Sequence, residues 1–126
     1  MTSKPAILFL VPDARLRDIY VSRFERDGWE ADSASSLTDA ERRAVQLRPT
    51  VLFVQYSVLE NVRTAFKRFR SLPTLLKTRI VIADKHLSRA AVDEVLTAGA
   101  DEVVITAHLT PQALVRRMNQ LIEGDL

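Results

Sequence analysis

The residues best equipped for chemistry in this chain are few and scattered. Asp84, Lys85 and His86 stand in a row. A carboxylate beside an imidazole is the material of an acid–base pair, and Ser57 or Thr106 could supply the hydroxyl that such a pair activates. A hydrolase also needs oxyanion donors and a nucleophile on a sharp turn, and no Gly-x-Ser-x-Gly motif is present. His86 therefore reads as an exposed loop residue. His108 precedes Thr110-Pro111 and reads as part of a turn, and two histidines this far apart make no metal site by themselves. The chain has no cysteine, which excludes disulfides, Cys-ligated zinc, iron–sulfur clusters and thiol catalysis. It has three glycines, Gly28, Gly99 and Gly124. None follows the first apolar run, where the turn is Val11-Pro12-Asp13-Ala14. A glycine cradle for a dinucleotide or a flavin phosphate is missing there.

The 126 residues fit one domain and can bury roughly two-thirds of their unfolded surface. Hydrophobic residues make up 47% and charged residues 27%, the profile of a soluble globular protein. No apolar run approaches the ~20 residues of a membrane span, and Met1–Pro5 is too short and polar for a signal peptide, so the expected location is the cytoplasm. The net charge of +2 is unevenly spread. Residues 61–85 hold 7 basic and 1 acidic group, whereas residues 86–126 hold 3 basic and 6 acidic. Such asymmetry can orient a partner. It argues weakly for nucleic acid, because the chain as a whole is close to neutral and carries no zinc-finger, RRM or basic-zipper motif.

The elements that must position these residues alternate strictly. The strands are Ala6–Val11, Trp29–Ser33, Val51–Val54, Arg79–Ala83 and Val103–Ile105, most of them apolar throughout, as strands covered on both faces should be. Asp13 caps a first helix with Leu16, Ile19, Tyr20 and Phe24 on one face. Thr38-Asp39-Ala40-Glu41 reads as a capping box with Ala40, Ala44 and Leu47 inward. Asn61–Arg70 clusters Val62, Ala65, Phe66 and Phe69. Ser88 caps a fourth helix with Ala91, Val92, Val95 and Leu96 inward. Thr110-Pro111 opens a fifth with Leu114, Val115, Met118, Leu121 and Ile122, and residues 123–126 are expected to fray. The pattern is (βα)5, an α/β fold with a parallel sheet between two helical layers. It reads as a single domain over residues 1–126 with its core in 5–122, complete in itself or the N-terminal domain of a longer protein.

The landmarks Ile7-Leu8-Phe9-Leu10, Gly28-Trp29-Glu30, Pro49-Thr50-Val51-Leu52-Phe53-Val54 and Gly99-Ala100-Asp101-Glu102-Val103 resemble a response-regulator receiver domain. The resemblance implies a flavodoxin-like three-layer sandwich with strand order 2-1-3-4-5. It also implies a site at the C-terminal sheet edge: an acidic pair binding magnesium, a phosphoacceptor aspartate, a threonine or serine, and a lysine. Counting from Gly28, Pro49 and Gly99 puts Val11 and Pro12 at the acidic pair beside Asp13, Gln55 at the phosphoacceptor, Asp84 at the hydroxyl and Thr106 at the lysine. Val103 takes the place of the switch aromatic, and Ala107 that of the proline after the lysine. The resemblance thus implies a pseudo-receiver.

The residues argue the same way on chemical grounds. Phosphoryl transfer needs a nucleophile, a divalent cation and positive charge near the transferred oxygens. Gln55 is a neutral amide, Thr106 carries no charge, and magnesium prefers carboxylates where Val11 and Pro12 offer none. The expected function is a non-catalytic signalling module that works by protein–protein contact, with no metal and no cofactor. Gln55 is expected to hydrogen-bond across the rim. The alternative is a receiver variant that still switches by binding a metal or small ligand through Asp13, Gln55, Asp84 and Thr106. Expected interaction residues are Tyr56 at the sheet edge, and Arg63 and Lys67 on the basic third helix. Asp93, Asp101, Glu102 and Arg117 join them through the helix–strand–helix pairing surface that the resemblance implies. There Arg116 and Arg117 are expected to face Asp93, Glu94, Asp101 and Glu102, and a homodimer could form.

Overall fold

A computed structural model describes residues 4–124. Five strands form one parallel sheet: β1 (Ala6–Leu10), β2 (Glu30–Ala34), β3 (Val51–Gln55), β4 (Arg79–Asp84) and β5 (Glu102–Ile105). Their order is β2-β1-β3-β4-β5, as the flavodoxin-like reading expects. Five helices connect and follow them: α1 (Ala14–Arg26), α2 (Leu37–Leu47), α3 (Val62–Ser71), α4 (Arg89–Ala98) and α5 (Pro111–Glu123). Short 3-10 turns follow β3 at Tyr56–Val58 and α3 at Pro73–Leu75. Gly124 ends α5, and the part of the expected frayed tail at residues 125–126 lies outside the described residues.

Strand alternation divides the core into two layers. Leu8, Leu10, Leu52, Val54, Ile80 and Ile82 point towards α2, α3 and α4. Ile7, Phe9, Val51, Phe53, Val81 and Val104 point towards α1 and α5. Phe9 is the hub of the second layer. Its ring lies 5.3 Å from Tyr20, 5.1 Å from Phe24 and 5.2 Å from Phe53. Burial in this cluster raises the pKa of the Tyr20 hydroxyl.

Several element details differ from the sequence reading. Trp29 lies just before β2, not in it. It packs in the α1/α5 layer and its Nε1 donates to Asn119 Oδ1 at 3.0 Å. The cap of α2 is Ser36, whose Oγ accepts from Asp39 N at 3.1 Å, two residues before the expected Thr38. Ile19 is 43% exposed and Leu96 is 47% exposed, although both were expected inward. In α1 the inward stripe runs Leu16, Tyr20, Phe24 at steps of four, and in α4 it runs Ala91 to Val95. A residue one step off such a stripe is rotated by about 100° and faces out.

Candidate functional site

The C-terminal ends of β1, β3, β4 and β5 meet at one rim of the sheet. Leu10 pairs with Val54, Gln55 with Ala83 and Asp84 with Ile105. The sequence-expected positions Val11, Pro12, Asp13, Gln55, Asp84 and Thr106 follow or end these strands, so the topology gathers them at this rim. Those of their side chains that hydrogen-bond do so within their own loops.

Val11 is buried in the α1/α5 layer. Pro12 is exposed. The Asp13 carboxylate is the N-cap of α1 and accepts from Leu16 N at 3.1 Å. Gln55 was expected to hydrogen-bond across the rim. Its Nε2 instead donates to Ser57 Oγ at 2.7 Å within its own loop, because the 3-10 turn after β3 brings that hydroxyl back beneath the amide. The Asp84 carboxylate turns onto the next peptide and accepts from Lys85 N at 2.8 Å. Thr106 ties two strand ends through its backbone, its N–H donating to Asp84 O at 2.9 Å. Val103 packs, half-buried, against the α2–α4 layer. His86 and His108 are both exposed.

One rim residue has no counterpart in the sequence reading. Arg17 lies one turn into α1, and its guanidinium folds back over the end of β1. Nη1 donates to Val11 O at 2.8 Å and to Pro12 O at 3.0 Å. Both carbonyls after β1 are thus bonded to a guanidinium. With no carboxylate at Val11, Pro12 or Gln55, the donor set does not fit the magnesium that the resemblance implies. Among the described residues no group of three or more histidine or acidic side chains stands close enough to hold a metal ion.

The expected interaction residues also separate. Tyr56, Arg63, Lys67 and Asp93 line one groove between α3 and α4. Tyr56 is half-buried, and its hydroxyl donates to Glu94 Oε1 at 3.0 Å, which holds the phenol's pKa above its ordinary value. Asp101 sits at the opposite end of the sheet. It accepts from Ile80 N at 2.7 Å and pairs with Arg70 at 3.5 Å and Arg79 at 3.6 Å. Arg117 reaches Glu102 at 3.4 Å and Val103 O at 3.2 Å. Of the four acids that Arg116 and Arg117 were expected to face, Glu102 pairs with Arg117 and the other three do not pair with either arginine. Asp101, just before β5, is held by Ile80 N, Arg70 and Arg79, and α4 turns Glu94 towards Tyr56.

Neither a protein-family model nor a curated protein matches this sequence. Solved structures do match its backbone. A response regulator from Thermotoga maritima superposes with a TM-score of 0.82 at 15% identity, over 95% of this chain and 98% of that one. An orphan response regulator of H. pylori gives 0.82 at 16% identity, over 97% and 99%. The chemotaxis response regulator CheY4 of Vibrio cholerae gives 0.81 at 16% identity, over 94% and 98%. The fold is that of CheY-like receiver domains. The receiver fold and the strand order stand on backbone likeness, and at this level of identity the chemistry of the rim must be argued from its own residues. No helix among the described residues is long and apolar enough to cross a membrane.

Proposed function

We propose that this receiver-like chain is a non-catalytic pseudo-receiver, a cytoplasmic signalling module that acts through phosphorylation-independent protein–protein contact with a partner or an attached output domain. The observation that carries this reading is the disposition of the rim. Arg17 occupies the carbonyls at the end of β1, Asp13 and Asp84 serve local backbone donors, and Gln55 offers an amide bonded to Ser57. A phosphoryl group would find an amide in place of a carboxylate at the end of β3, and no acidic pair after β1 to hold its cation. A rim tied down in this way also lacks the repelling carboxylates whose neutralisation would shift a two-state balance.

The test is incubation of the chain with a small-molecule phosphoryl donor and magnesium, read by intact mass and by amide NMR shifts at Asp13, Gln55, Asp84 and Thr106. We expect an unchanged mass and no saturable shift at millimolar magnesium. A phosphorylated species refutes the reading. Saturable shifts at those four residues would instead establish the alternative, a receiver variant that switches by binding a metal or small ligand.

A further inference from the structure

The groove between α3 and α4, about 1100 Å³ in volume, is built from two helical stripes. Arg63, Phe66, Lys67 and Arg70 line one wall, and Ala90, Asp93, Glu94 and Thr97 line the other. Both sets fall at steps of three and four, so each is a continuous face of its helix. The walls are opposite in charge. Arg70 is consumed internally by the carbonyls of Leu75 and Thr78 and by Asp101, and Glu94 by Tyr56. That leaves Arg63 and Lys67 on the α3 wall and Asp93 on the α4 wall. Among the described residues, no ion pair joins them across the groove.

We propose that this groove is the contact surface of a homodimer. A two-fold axis running along the groove lays α3 of each copy over α4 of the other. Lys67 and Arg63 then meet the partner's Asp93, and by symmetry the same pairing forms twice. The balance of charge selects this occupant. A uniformly acidic peptide or a nucleic acid would be drawn to the α3 wall and repelled by Asp93 and Glu94, as well as by Glu60 at the mouth. A second copy satisfies both walls. On the β5–α5 side Glu102 and Arg117 already pair within the chain. Pairing through α3 and α4 is independent of the rim chemistry, so it can fail while the phosphoryl-donor result stands.

The experiment is sedimentation equilibrium of the full chain across protein concentration at low and high salt. We expect a mass of twice 14.2 kDa at low salt that falls to the monomer as salt screens the pairs. Lys67→Glu and Asp93→Lys should each weaken association by about tenfold or more, roughly 1.4 kcal/mol. The double exchange Lys67→Glu with Asp93→Lys should associate more tightly than either single variant, because the 67–93 pair is rebuilt twice with reversed sign. Arg117→Glu should leave it unchanged. A chain that stays monomeric throughout overturns the proposal, as does a dimer that ignores Lys67→Glu or one that Arg117→Glu dissociates. A monomer that instead binds an acidic protein through Lys67 would assign the groove to a different occupant and equally overturn it.

Discussion

Arg17 shows how one side chain can fix the character of a rim. Its partners are backbone carbonyls five and six residues earlier, and it reaches them only because α1 turns its first loop back over the end of β1. Replacing Arg17 by Met keeps the stem and removes both donors. The site is partly exposed and water can take over some of the bonding, so a loss of about 1 kcal/mol in denaturant unfolding is expected. A loss below a few tenths would mean that the guanidinium contributes no net restraint. Tyr20 gives a prediction in pH. Its folded-state pKa is raised by burial. The native state therefore holds the phenolic proton more tightly than the unfolded chain, which releases it near pH ~10. The associated stability is complete below that pH and is lost as pH rises through the interval up to the folded value. Tyr20→Phe should flatten the alkaline decline of stability measured by urea titration between pH 9 and 11 (roughly the window set by the phenol). Tyr56→Phe should flatten it too, because the bond to Glu94 Oε1 holds that phenol's proton in the native state. The sequence made some of the rim legible. Asp13 as a cap, the burial of Val11 and the amide at position 55 could all be read from residue type and place. The Arg17 contact could not, because nothing in local spacing reveals where a long side chain will find acceptors once helix and strand have packed.

At the scale of elements, alternation and apolar runs sufficed to place all five strands and five helices to within a residue or two, because buried parallel strands and amphipathic helices leave opposite periodicities in sequence. The caps were read less evenly. Ser88 and Thr110 cap as read, and Asn61, read as the first helical residue, caps α3. At α2 two hydroxyls compete, and the structure selects Ser36 by starting the helix at Leu37, which packs on the core. Ser36→Ala should therefore cost about 1 kcal/mol, whereas Thr38→Ala, inside the helix and exposed, should change stability by less than ~0.5 kcal/mol. Thermal unfolding of the two variants side by side decides which hydroxyl is the cap. The same competition explains Ile19 and Leu96. Each sits beside an inward residue, and apolarity alone cannot tell a stripe from its neighbour. The groove walls on α3 and α4 were legible as charge at helical spacing. What the sequence could not show is that Arg70, Glu94 and Asp101 would be spent inside the chain, because each meets its partner only once the elements have packed.

The whole molecule is two cores sharing one sheet. Adjacent residues of a strand, such as Leu52 and Phe53, serve opposite layers, so neither layer can come apart without exposing the back of the other. Unfolding should accordingly be a single cooperative transition. The chain carries its own reporter, for Trp29 is the single tryptophan and lies wholly in the α1/α5 layer, hydrogen-bonded to Asn119. Phe69 belongs to the other layer, on α3, with its ring 5.9 Å from Phe66. Phe69→Ala leaves a cavity far from Trp29 and should cost about 3–5 kcal/mol, a large share of the roughly 5–15 kcal/mol that holds a domain of this size together. If the sheet couples the layers, the midpoint reported by Trp29 fluorescence should fall with the midpoint of far-UV circular dichroism, and by the same amount. A tryptophan signal that stays put while the helical signal shifts would show that the α1/α5 layer folds on its own. In that case a contact made on α3 and α4 would end at the sheet and could not be felt at the α1/α5 face.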